Sequence, residues 1–189
     1  MKIHYQGGGG VMGIRYENLD AITRKHMLNE VGIGGSYISP RLTPDGIAAW
    51  SNLLQEAVRN YNDDWLAHEL INRNFVLAEE SYTRDGVTRL RRINQSHAAQ
   101  QLAEGEFNRY YIRGLCERAN QEGKDHLVIY RGKAVSNPRP ESEAKIGARI
   151  ETDALLKILR KSDFVKIEDA VGISAAPGGP SSGITCKLP

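Results

Sequence analysis

Asp85-Gly86 restricts the fold of this chain more than any other feature, because it separates two segments of β character. The surrounding sequence is NFVLAEESYTRDGVTRLRRI, which begins at Asn74. Asp-Gly between two such segments is typical of a β-hairpin turn. We therefore predict a hairpin over residues 75–93.

The second strand of the predicted hairpin carries arginine on both of its faces. Alternation along a strand places Val87, Arg89, Arg91 and Ile93 on one face, and Thr88, Leu90 and Arg92 on the other. Neither face is apolar enough to lie on the core of its own domain. We expect the hairpin to project as a ribbon, or to pack against an acidic surface outside the domain.

Length and composition fit one domain with extended arms. The chain has 189 residues, 40% of them hydrophobic, which is enough to bury a core. The net charge is only +2, so any binding to nucleic acid must use a local patch. No apolar run approaches the roughly 20 residues of a membrane span, so we expect no membrane contact. Cys116 lies on an apolar helical stripe and is predicted to be a buried free thiol.

Helical and strand patterns together indicate an α+β domain. Thr43, Pro44 and Asp45 are typical of a helix start, and Asp63 or Asp64 is expected to cap the next helix. The longest helix is predicted over residues 97–122, with a buried strand over 126–130 and a helix capped by Thr152. We expect several helices, a projecting basic β-hairpin and a small mixed sheet, with extended terminal arms.

The two ends of the chain differ in composition from the domain between them, which we place at residues 13–173. Residues 1–12 are glycine-rich, and we expect either a flexible arm or a non-native extension before a natural start at Met12. Residues 174–189 are expected to form a Gly/Pro/Ser linker and a terminal strand. That strand can pair within its own chain or with the next subunit.

Catalytic motifs are weak in this sequence. Pro44-Asp45 with Glu143-Ala144-Lys145 is similar to a pattern of metal-dependent nucleases, and Arg131 with Glu141 and Glu143 to one of ADP-ribosyltransferases. A helix start explains the first dipeptide better, and a solvated acidic turn explains the glutamates better. The histidines are dispersed without ligand spacing. We expect no cofactor and no enzymatic activity, with a metal-dependent nuclease or hydrolase as the third hypothesis.

The arginines are the remaining functional signal. They can bind phosphates, bind carboxylates of an adjacent subunit, or remain solvated. We favour the carboxylates and keep nucleic acid as the alternative. The predicted interaction residues are Arg84, Arg89, Arg91, Arg92, Arg109 and Arg113.

Three segments resemble proteins found in tailed-phage and prophage gene sets: RRINQSHAAQQLAEGEFNRYYIRGLCERA, VIYRGK and NPRPESEAKIG. The resemblance covers Met12 to the end and implies a virion or head-assembly role, with no catalytic residues to carry over. It implies residence in the cytoplasm during assembly and in the virion afterwards. Our leading hypothesis is a self-associating shell, decoration or connector protein.

Overall fold

The computed structural model describes residues 13–161, 170, 171 and 182–189. Within these residues the chain forms six helices and two small antiparallel sheets, which confirms the α+β class. The helices are α1 (Ala21–Ile33), α2 (Pro44–Asn60), α3 (Asp63–Asn72), α4 (Gln95–Gln121), α5 (Pro140–Glu143) and α6 (Thr152–Leu159). The strands are β1 (Glu79–Arg84), β2 (Val87–Arg92), β3 (His126–Arg131), β4 (Arg149–Glu151) and β5 (Ile184–Lys187).

Side-chain caps explain where the helices begin. Thr43 accepts a hydrogen bond from the Gly46 amide at 3.1 Å and Pro44 follows as the first helical residue, which confirms the predicted start of α2. The caps of two other helices are shifted by one residue from our expectation. Asn62, not an aspartate, caps α3, and Glu151, not Thr152, caps α6.

Helix α4 is the centre of the domain, and its predicted length is confirmed to within two residues at either end. It is buried along most of its length because α1, α3 and α6 pack around it. Gly114 lets α1 come close, since a Cβ at this position would lie 2.7 Å from Met27 Cγ. Gly123 ends the helix region with a φ of 71°, in the left-handed conformation that glycine adopts readily.

The three-stranded sheet has the order β4-β3-β5 and all of its pairings are antiparallel. This corrects the expectation of a mixed sheet. The terminal strand β5 pairs with β3 of the same chain, with Ile129 opposite Cys186. Cys116 and Cys186 are both free and buried, which confirms the prediction for Cys116.

Parts of our expectations fall on residues that the structure does not describe. These are the glycine-rich residues 1–12, residues 162–169 and 172–173 of the expected domain, and residues 174–181 of the expected linker. The expectations for these residues stay predictions. Pro138 and Pro140 favour an extended link over residues 136–143, but α5 forms over Pro140–Glu143.

Candidate interaction surface

The predicted hairpin is confirmed, and its turn has the expected chemistry. Asp85 and Gly86 have φ angles of 53° and 74°, so both central residues are left-handed. Two left-handed residues define the turn type whose twist matches the twist of the flanking strands. The strand register continues from this turn, with Arg84 opposite Val87.

The same register brings acids opposite the arginines. In the strand register, Glu79 lies opposite Arg92 and Glu80 lies opposite Arg91. Both glutamates lie on β1, outside the arginine-rich strand β2. The hairpin is therefore less basic as a whole than its second strand is by itself.

Glu80 fixes the hairpin to the body of the domain. Its carboxylate accepts hydrogen bonds from Arg41 Nε and Arg91 Nε, both at 2.8 Å. Hydrogen bonds from Arg41 and then Arg91 lower the pKa of Glu80 to about 2. The Arg91 guanidinium also lies 5.3 Å from the centre of the Tyr82 ring. Arg91 is thus held within its own chain.

The other hairpin arginines are less restrained than Arg91 by contacts within their own chain. Arg84 is 3.7 Å from Asp85 at the exposed turn. Within the described ranges, Arg89 and Arg92 form no ion pair. Every residue of β2 is exposed, and the exposed fractions of Leu90 and Val87 are 70% and 50%. The hairpin therefore presents arginines and two apolar side chains to the outside.

The base of the hairpin is hydrogen-bonded to the first turn of α4. Leu42 forms an isolated bridge with Val76, and Gln95 Nε2 donates to the Val76 carbonyl at 2.6 Å. Asn94 caps α4 by accepting from the His97 amide at 3.0 Å. The direction of the hairpin is consequently set by the first turn of the longest helix.

Arg109 and Arg113 lie elsewhere, and their assignment to an interaction surface needs correction. Their exposed fractions are 1% and 0%. Arg109 lies 3.4 Å from Glu106 and donates to the Leu159 carbonyl at 2.9 Å. These guanidiniums are buried because α1 and α6 cover this side of α4.

Arginines from neighbouring elements occupy the carboxyl ends of three helices. Arg109 donates to carbonyls at the end of α6, and Arg113 to the Gly34 carbonyl that follows α1. Arg24 does the same for α2, where its contacts include the Val58 carbonyl at 2.6 Å. A guanidinium satisfies carbonyls that have no partner within their helix and offsets the negative end of the helix dipole. These three arginines therefore stabilise the fold.

Glu30 is the acid at the centre of this arginine network. Burial by itself would raise the pKa of Glu30, but hydrogen bonds from Arg160 and Arg113 outweigh burial and lower it. Arg160 also contacts Glu117 at 2.5 Å. The carboxylate thus remains ionised in the interior with two cations around it.

The groups that had suggested catalytic motifs in the sequence have ordinary structural positions. Arg131 and Glu143, which had suggested an ADP-ribosyltransferase pattern, form an ion pair at 2.6 Å. Asp45 lies in the first turn of α2. Within residues 13–161, 170–171 and 182–189, no group of three or more His, Cys, Asp or Glu side chains is placed to hold a metal ion.

Comparison with models of protein families, with curated proteins and with solved structures found no match. Of the helices in the described part of the chain, none is both long enough and apolar enough to cross a membrane.

Proposed function

We propose that this protein is a structural subunit that associates with copies of itself, and that the hairpin Glu79–Arg92 is its contact element. The observation that carries the proposal is that every residue of β2 is exposed, including Leu90. A two-stranded hairpin is marginally stable in water when nothing packs against it. Contact with another subunit would bury its apolar side chains and hold its strands in place.

The arginines indicate the chemistry of this contact. Arg89 and Arg92 have no ion-pair partner in the described residues, and the planar guanidinium matches a carboxylate through two parallel hydrogen bonds. The chain carries 23 Asp and Glu residues against 25 Lys and Arg, so each copy offers carboxylates to its neighbours. We expect carboxylates of a neighbouring copy to accept from these two arginines.

The proposed setting is a tailed-phage particle, with the protein as a shell, decoration or connector component. This part rests on the resemblance of the segments around α4 and β3 to proteins from phage and prophage gene sets. A projecting hairpin beside a long helix suits a subunit that reaches its neighbours. No catalytic role is part of the proposal.

Light scattering after size-exclusion chromatography tests self-association. We expect the wild type to have a molar mass above 21.0 kDa that rises with concentration. The variant Arg89→Ser with Leu90→Ser should shift toward the monomer. Its matched control is Ile22→Ser with Lys25→Ser, which also removes one exposed apolar side chain and one exposed cation, but from α1. A monomeric wild type at every concentration would overturn the proposal.

A nucleic-acid-binding role is the second candidate, favoured by Arg84, Arg89 and Arg91, which share one hairpin face with Tyr82. Titration of a labelled duplex at two salt concentrations tests it. Phosphate binding predicts an affinity that falls steeply as salt rises. It also predicts loss of binding when Arg89, Arg91 and Arg92 are changed to alanine. Absence of binding at low salt would exclude this candidate.

A further inference from the structure

The segment Gly13–Asn18, here called the strap, crosses the end of the three-stranded sheet. The Arg15 amide donates to the Gly132 carbonyl at 2.9 Å, and the Tyr130 hydroxyl donates to the Arg15 carbonyl at 2.7 Å. The Tyr130 hydroxyl in turn accepts from the Glu17 amide at 2.9 Å. Further along, the Asn18 amide donates to the Tyr111 hydroxyl at 3.1 Å. These are polar contacts, and water can replace each of them.

The beginning of the strap covers a buried carboxyl group. The Ile14 amide donates to Asp63 Oδ2 at 3.0 Å, and the exposed fraction of Asp63 is 1%. Gly13 lies so close that a Cβ at this position would be 2.7 Å from Asp63 Oδ2 and from Asp64 Oδ1. The strap therefore excludes water from the Asp63 carboxyl.

Two oxygens in this region have no hydrogen-bond partner in the described part of the chain. They are Asp63 Oδ1 and the Tyr16 hydroxyl, and both are buried. An ionised carboxylate without enough donors is costly to bury, whereas a protonated one is tolerated. The geometry suits a neutral Asp63.

We propose that the strap is a proton-controlled latch, closed while Asp63 is protonated and released when Asp63 ionises. Release admits water to the carboxylate and frees the Gly132 carbonyl at the end of the sheet. The change needs no rearrangement of α3, because Asp63 is the first residue of that helix and lies directly under the strap.

The charges that face Asp63 come from two helices. Asp64 lies beside it on α3, and Glu104 approaches from α4. Glu104 accepts hydrogen bonds from Lys133 and Gln100. The Lys133 ammonium is therefore paired with Glu104 and not with Asp63. In the described residues, no cation pairs with Asp63 itself. Burial first, and then the nearby Asp64 and Glu104 charges, raise the pKa of Asp63 to about 7.

Ionisation of Asp63 makes release of the strap depend on pH. The closed state binds the proton more tightly than the released state, where Asp63 returns toward its ordinary value of 3.8. Release therefore increases as pH rises from about 4 to about 7 and levels off above that. Between pH 5 and pH 8 the equilibrium constant for release should increase on the order of 100-fold.

Hydrogen exchange of the full chain tests the latch. The amides of Ile14, Arg15 and Glu17 are followed at pH 5 and pH 8, and each rate is corrected for the intrinsic effect of pH. We expect the corrected exchange to be on the order of 100-fold faster at pH 8. Asp63→Asn should remove that difference, because the amide side chain still accepts from Ile14 but does not titrate.

Two further variants make the result decisive. Asp64→Asn is the matched control and should keep most of the pH dependence, since its carboxylate is only a neighbour of Asp63. Gly13→Ala should speed exchange at both pH values, because the added methyl group collides with Asp63. Equal corrected exchange of the wild type at pH 5 and pH 8 would overturn the latch. The same would follow if Asp63→Asn retained the pH dependence.

Discussion

Arg113 Nε donates to Glu30 Oε2 at 2.8 Å, and this ion pair between α4 and α1 is completely buried. Its two members are 83 residues apart in the chain. The same guanidinium donates to the Gly34 carbonyl. One side chain thus neutralises a buried acid and satisfies the end of a helix.

Removing Arg113 should therefore destabilise the protein strongly. We expect Arg113→Met to lower the free energy of unfolding by about 3–5 kcal/mol, because Glu30 would remain buried with only Arg160 as partner. Urea denaturation measures this. Adding Glu30→Gln should recover part of the loss, since the uncompensated charge is removed. A loss below about 1 kcal/mol for the single variant would contradict the network.

The two glycines within α4 should respond in opposite directions. Gly114→Ala should cost about 1–3 kcal/mol, because its Cβ would collide with Met27 on α1. Gly105→Ala is the matched control, since a Cβ built there has no atom within 4 Å apart from its chain neighbours and the backbone of α4. It should stabilise the helix by about 0.5–1 kcal/mol. Thermal unfolding of both variants measures the difference, and equal effects would refute the close approach of α1.

The sequence predicted the hairpin turn and the start of α2, because both depend on residues that are adjacent in the chain. Asp85-Gly86 predicts the hairpin because its turn needs two left-handed residues, and Thr43-Pro44 predicts a helix start because caps act within one turn. Arg109 and Arg113 could not be placed in the same way. Whether a charged residue on a helix is buried depends on which other helix covers it, and α1 and α6 are distant in sequence.

The interaction surface could likewise be predicted only in part from the sequence. The arginines of β2 are visible in the sequence, but their acid partners follow from strand register and from Arg41, which is 39 residues before Glu80. The burial of Asp63 depends on the strap, whose contact with α3 has no local pattern. An aspartate near a helix start ordinarily indicates an exposed cap.

Glu80→Gln should loosen the hairpin while leaving the domain folded. Its wild-type pKa of about 2 is below the usual 4.5, so its ion pairs are complete above about pH 4.5 and are lost as pH falls toward 2. The expected stability change is about 1 kcal/mol or less, because the pairs are near the surface. Hydrogen exchange over residues 79–92 should become faster. Glu79→Gln is the control, and an equal effect there would contradict the anchoring role.

Both cysteines should be unreactive in the folded protein. Burial raises the pKa of the Cys116 thiol well above its usual value and that of Cys186 to about 12. A chromogenic disulfide reagent at pH 8 should therefore label neither thiol until denaturant is added, and both afterwards. Rapid labelling of either thiol in native conditions would contradict their position in the core.

Hydrogen exchange of the hairpin amides at low and high protein concentration tests the central claim most directly. If the hairpin contacts a neighbouring copy, exchange over Glu79–Arg92 should slow as concentration increases, while the exposed amino-terminal turn of α1 remains unchanged. The variant Arg89→Ser with Leu90→Ser should lose this concentration dependence. Exchange of the wild-type hairpin that is identical at every concentration would contradict assembly through this element.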